Sequence, residues 1–193
     1  MGSQAIRYLI LPGWQGSPVD HWQSHWQHSL PAASRVEQLD WDNPDPYEWV
    51  ANLDRRLAEV CTPTILIAHS LGCITVARWA AQAAGHVLPR VQGALLVAPA
   101  DVERADCPQA LRSFAPIVRQ ALPFPTCVVG SDNDPAASMP RVLELAQQWG
   151  SEIAVLPGAG HINVKSGFNL WEPGFAYLFR LHNRIEQHAK RCA

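Results

Sequence analysis

Thr64-Ile65-Leu66-Ile67-Ala68-His69-Ser70-Leu71-Gly72 opens as an apolar, β-branched run and closes on a small residue, a His, a Ser, a Leu and a Gly. The next residues, Cys73 to Ala84, are rich in Ala and read as a helix. A buried strand that feeds a helix through a tight turn with Ser at its apex is a nucleophile elbow, which lifts the Ser hydroxyl above the edge of a sheet. Such a turn needs small residues two positions either side of the Ser. Here they are Ala68 and Gly72. The usual pattern has Gly at both places, and Ala adds one methyl. The competing reading is an ordinary strand-to-helix junction in which Ser70 merely caps the helix, so the remainder of the chain has to decide.

Outward from this stretch, strands alternate with helices. Ile6 to Leu11 is a short apolar strand that stops at Pro12-Gly13, and Asp20 can cap a helix running through Trp22 and Trp26. Arg35 to Leu39 reads as a weaker strand. Trp49, Val50, Leu53, Leu57 and Val60 fall at helical spacing in a helix from Tyr47 to Val60, which Pro63 ends. Beyond the elbow helix, Val91 to Ala98 and Pro125 to Gly130 are further strands. A helix over 141–149, a strand over Glu152 to Leu156 and a last helix from Glu172 to about Lys190 complete the pattern. Continuous apolar strands alternating with helices predict a mostly parallel sheet of about six strands, covered on both faces. The expected fold is therefore one α/β domain over residues 1–193, a three-layer sandwich.

Composition narrows the function classes. The chain has 193 residues, 48% hydrophobic and 17% charged, with a net charge of −2. That profile belongs to a globular protein and recommends neither nucleic acid nor an anionic membrane as partner. The five cysteines show no CxxC and no regular spacing, against a disulfide framework or a zinc site. The first six residues lack a basic region followed by an apolar stretch, and Ile6 breaks a myristoylation pattern. No apolar run approaches the ~18 residues of a membrane span. A reduced, cytoplasmic protein is expected.

In an open parallel sheet, ligands bind beyond the carboxyl ends of the strands. Past the first strand lies Pro12-Gly13-Trp14-Gln15-Gly16-Ser17, past the third Ser70, and past the fourth Ala100-Asp101. The fifth strand is followed by Ser131-Asp132-Asn133-Asp134-Pro135, and the sixth by Gly158-Ala159-Gly160-His161. A Ser, an acid and a His thus reach one edge in the chain order of the α/β-hydrolase triad. Asp132, Asp134 and Asp101 all remain possible acids by position.

Several residues carry the resemblance to a family: Pro12-Gly13-Trp14 with Ser17-Pro18, His21-Trp22, Trp26, Trp41, Asn43-Pro44 and the elbow itself. Gly130-Ser131, Asp134-Pro135 and Gly160-His161 extend it through the C-terminal half. On these the chain resembles the YdeN-like, retinoblastoma-binding-protein-nine family of small α/β-hydrolases. The short stretch before Ile6, with no room for an antiparallel starting hairpin, fits that compact family. The resemblance implies a serine hydrolase acting on carboxylic esters, or on amides or peptides, through an acyl-enzyme. Ser70 would be nucleophile and His161 base, and the acid directly before a Pro would be Asp134, leaving Asp132 as a turn residue. The backbone N–H groups of Leu71 and Trp14 would form the oxyanion hole. The implied partner is a small-molecule acyl substrate, with no cofactor and no metal. A catalytically weak protein-binding member of the same fold is the alternative, although no Leu-x-Cys-x-Glu occurs.

Other features take plainer readings. His21, His25 and His28 have metal-like helical spacing but no matching acid or Cys, so His21 is expected to bond loop backbone and the others to face solvent. Of the eight Trp residues, most belong to the core, with Trp14 and Trp171 placed to wall a binding site. His69 is expected to pack on the far side of the elbow from the Ser70 hydroxyl. The interval Pro99 to Phe124 holds Pro108, Pro116 and Pro123 and one short apolar stretch, so it reads as a small flap over an open site suited to short acyl chains.

Overall fold

The computed structural model describes residues 5–59, 61–83 and 85–192. Met1 to Gln4, and Val60 and Ala84 at the ends of two expected helices, lie outside the described residues. Six strands form one all-parallel sheet in the order β2-β1-β3-β4-β5-β6. They are β1 (Arg7–Leu11), β2 (Ala33–Arg35), β3 (Thr64–His69), β4 (Val91–Val97), β5 (Thr126–Ser131) and β6 (Glu152–Leu156). The helices are α1 (Trp22–Ser29), α2 (Pro46–Ala58), α3 (Leu71–Gln82), α4 (Met139–Gln148) and α5 (Phe175–Cys192).

The period-2 alternation of the central strands divides the core into two layers. Leu9, Leu11, Leu66, Ala68, Leu96 and Val128 point to the face covered by α2, α3 and α4. Ile10, Ile65, Ile67, Leu95, Val97 and Val129 point to the face covered by α1 and α5. Trp22, Trp26, Trp49, Trp79 and Trp149 are fully buried in these layers. Among the described residues no helix is long and apolar enough to cross a membrane.

Two local expectations are corrected. The edge strand β2 lies earlier than expected, pairing Ala33 with Tyr8 and Arg35 with Ile10. Its ladder ends when the Val36 amide reaches the Ile10 carbonyl. Beyond Leu11 the partner chain continues into Pro12, which has no N–H to offer, so Glu37 to Leu39 have no strand to pair with and Leu39 is exposed. Helix α1 is capped by His21 rather than Asp20: His21 Nδ1 accepts the Gln23 amide at 3.1 Å. Elsewhere side-chain caps act as their chemistry suggests. In α2, Asp45 accepts the amides of Tyr47 and Glu48 ahead of Pro46 at the first helical position.

Strand order reverses direction at β1, with β2 on one side and β3 on the other, so a crevice opens at the carboxyl ends of β1 and β3. Helix α3 passes so close to β1 there that a Cβ on Gly72 would lie 2.4 Å from the Leu11 carbonyl oxygen and 2.8 Å from that of Pro12. Both obstacles are backbone and cannot rotate away. Gly72→Ala is therefore expected to lower the unfolding free energy by about 2–3 kcal/mol, the cost of overpacking a tight junction. Urea denaturation checks this, and an unchanged midpoint would show that α3 moves freely.

Candidate active site

Ser70 stands between β3 and α3 with φ +54°, a strained value for a residue with a side chain. The strain is held by the Ser70 amide donating to the Val97 carbonyl and by the Ser70 carbonyl accepting the Cys73 amide. The Ser70 hydroxyl makes no capping bond to α3. It points instead to His161, with Oγ 2.9 Å from Nε2. His161 Nδ1 faces both carboxylate oxygens of Asp134 at 2.9 Å. The Asp134 carboxylate is almost wholly buried, its side chain 1% exposed, and also accepts the Ala136 amide at 2.7 Å.

The other acids are engaged elsewhere. Asp101 pairs with Arg141 at 3.0 Å and accepts the Glu103 amide. Asp132 does not fold back on its own turn, as the sequence suggested, but accepts the Gly158 amide at 2.7 Å, tying the loop after β5 to the loop after β6.

The loop carrying His161 is pinned along its length. Ala159 and Gly160 donate their amides to Ser131 Oγ and Asn133 Oδ1. The His161 amide donates to Ser166 Oγ, and Trp22 Nε1 donates to the Ile162 carbonyl. His69 completes the set. It lies beside His161, with ring centroids 4.9 Å apart, and its Nε2–H donates to the His161 carbonyl at 2.9 Å. That bond fixes the tautomer of His69 and gives it a share in placing the loop, so the expectation that it packs away from the site is corrected. A second residue missed by the sequence reading is Gln23. It is fully buried, donating Nε2–H to the carbonyls of Leu11 and Ile67 where β1 and β3 diverge. A polar residue between Trp22 and Trp26 on the buried side of α1 was the available signal.

A cleft of about 310 Å³ opens above Ser70, walled on one side by Gly13, Trp14 and Gln15 and on the other by His161, Asn163 and Lys165. Trp14 is fixed by Nε1 donating to the Asp42 carbonyl. Its own amide takes no part in the turn bonds around it, which run from Gln15 to Trp41 and from Gly16 to Gly13. The Leu71 amide sits at the first position of α3, where a helix supplies no acceptor. Trp171 does not wall this cleft. It is buried against Trp22, Trp26 and Phe168, because three large rings nearby offer more apolar area than an open edge. Nor does the segment over 99–124 line the cleft: Ala100 donates its amide to the Ser70 carbonyl at 3.5 Å, and Leu111, Phe114, Ile117 and Phe124 are buried in the core layer of α2 and α3. A larger hollow of about 490 Å³ lies between Pro125, Glu152 and Arg184, and none of its lining residues is a Ser or Cys. Burial pushes the Cys73 thiol up strongly and that of Cys127 to about 11, so both behave as core residues.

Burial also pushes the His21 imidazole down to about 4, with repulsion from Arg35 and His161 as lesser causes, and it drives His69 well below the usual range. Both rings are neutral in the folded protein, whereas unfolded histidines take up a proton near pH 6.5. The stability these neutral rings contribute is full above pH 6.5 and is lost as pH falls toward 4. For His21 alone the loss is about 3 kcal/mol. Urea midpoints measured from pH 7 to pH 4 should fall accordingly. In His21→Asn, which keeps an acceptor for the Gln23 amide, the fall should be shallower, and parallel curves would contradict the assignment.

A parallel sheet with this strand order, an elbow Ser after β3 and an acid and a His arriving from β5 and β6 define an α/β-hydrolase. The family model described as serine hydrolase matches residues 8–180, and the chain belongs to that family. It is similar to a YdeN-like hydrolase from Pectobacterium atrosepticum, with 33% identity over 94% of this chain and 93% of the other and a TM-score of 0.82. The ydeN gene product of B. subtilis shares 19% identity at a TM-score of 0.74, covering 93% of this chain and all of its own. Est1E from Butyrivibrio proteoclasticus, at 14% identity, 97% and 90% coverage and a TM-score of 0.65, shares the fold. No curated protein sequence matches the chain.

Proposed function

We propose that this hydrolase cleaves carboxylic esters through an acyl-enzyme, with Ser70 as nucleophile, His161 as general base and acid, and Asp134 as the carboxylate that orients the imidazole. The observation that carries the reading is the continuous line from Ser70 Oγ through His161 to buried Asp134, each step at 2.9 Å. Ser70 attacks the acyl carbonyl while its proton passes to His161 Nε2. The oxyanion is received by the Leu71 and Trp14 amides, and His161 then protonates the departing alcohol. Water activated by the same nitrogen hydrolyses the acyl-enzyme. Each oxyanion donor is worth about 2.7–4 kcal/mol of barrier.

The small volume of the cleft, and the absence of the 99–124 segment from its walls, favour short acyl chains. A fluorophosphonate probe is expected to label the protein at Ser70 and nowhere else, and butyryl esters should turn over faster than long-chain ones. An adduct that persists in Ser70→Ala would refute the assignment of the nucleophile, and a preference for long chains would refute the acyl-size reading.

A further inference from the structure

The Ser70 cleft carries a single formal charge among its lining residues, and that charge is positive. Lys165 stands on its rim, while no Asp or Glu lines it. The Asp134 carboxylate lies behind His161, buried and fully engaged. His21 and His69 line the cleft as neutral rings. Lys165 itself is exposed and has neither an ion pair nor a hydrogen bond among the described residues. Several arginines elsewhere are by contrast drawn into ion pairs or carbonyl contacts: Arg141 with Asp101, Arg119 with Glu103, Arg184 with Glu152 and Arg78 with the Phe114 carbonyl.

The backbone beneath Lys165 is held in place. Val164–Ser166 forms a 3₁₀ turn in which Asn163 Oδ1 accepts both the amide and the hydroxyl of Ser166. With its oxygen so occupied, Asn163 has Nδ2–H left without an acceptor among the described residues. A cation and an amide donor, neither with a protein partner among the described residues, therefore stand on the same wall of the cleft, on the loop that also delivers His161.

We propose that this wall is a recognition site for a carboxylate on the leaving-group side of the substrate, so that the preferred substrates are esters whose alcohol portion is anionic. The proposal rests on the hydrolase reading above. His161 must protonate the departing oxygen, so the leaving group passes along the loop that carries His161, and its substituent meets Lys165 and Asn163. A lone positive rim on a chain of net charge −2 also concentrates anionic ligands at the cleft mouth.

The test compares 4-nitrophenyl butyrate with its 3-carboxy derivative, each rate corrected for hydrolysis of the same ester in buffer. In the wild type the anionic ester should have the higher kcat/KM by about fivefold, the size expected of an exposed charge pair. The preference should shrink as salt is raised. The ratio of the two kcat/KM values should fall to about one in Lys165→Gln and below one in Lys165→Glu. Equal rates for the two esters in the wild type would overturn the proposal alone, as would a preference that survives in both variants. Failure of the wild type to hydrolyse either ester would instead bring down the hydrolase reading, and this proposal with it.

Discussion

Ser70→Ala is expected to lower kcat for a short ester by about four to six orders of magnitude, to a rate set only by the oxyanion donors and binding. In the proposed mechanism the reason is the loss of the atom that becomes covalently bound. His161 keeps Asp134, and Leu71 keeps its place at the start of α3, but no acyl-enzyme can form. Ser70→Gly should be equally inactive yet differ in stability. At φ +54° a Cβ is strained by about 1–3 kcal/mol, while the extra freedom of an unfolded Gly costs about 0.4–1 kcal/mol. The Gly variant should therefore unfold about 1 kcal/mol less readily than the Ala variant. Burst kinetics with a chromogenic ester measure the first effect and urea denaturation the second. Residual turnover near the wild-type rate in Ser70→Ala would remove Ser70 from the mechanism. An Ala variant as stable as the Gly variant would mean that the elbow stores no strain.

How much of this was legible in the sequence follows from which contacts are local. β3, β4 and β5 are buried on both faces but for Gln92, so each writes itself as a largely apolar run. β2 is half-buried and three residues long, and its position is decided by where β1 meets Pro12, not by its own side chains. The cap of α1 escaped because Asp20 and His21 can both accept an amide, and only the turn at Pro18, whose carbonyl takes the His21 amide, selects between them. In the candidate site, Ser70, His161 and the cluster of acids stood out because each lies on the loop or turn after a strand. The residues that hold them were not. His69 reaches His161 across 92 residues of sequence, and Gln23 reaches Ile67 across 44. Neither pairing has a local pattern, since it exists only once the strands are side by side. The same is true of Asp101, which has the right position for a triad acid but is paired with Arg141, supplied from α4.

The choice of acid yields the second large effect. Asp134→Asn should lower kcat by about 10⁴ while leaving the fold intact, because an amide can present an N–H where the imidazole needs an acceptor and so favours the wrong tautomer. Asp101→Asn should behave in the opposite way. It weakens the bond to Arg141 NεH and the tie between the loop after β4 and α4, lowering stability by about 1–3 kcal/mol with kcat within a few fold of wild type. Asp132→Asn keeps an oxygen for the Gly158 amide and should change neither quantity by much. Steady-state kinetics and urea denaturation on the three variants separate these outcomes, since the geometry assigns a catalytic loss to one and a structural loss to another. An Asp134→Asn enzyme that retains turnover beside an inactive, stable Asp101→Asn enzyme would move the acid from the end of β5 to the end of β4. It would also require His161 to leave the carboxylate it now faces with both oxygens at 2.9 Å. The five bonds that pin the His161 loop oppose such a movement, and they are why the larger loss is expected at Asp134.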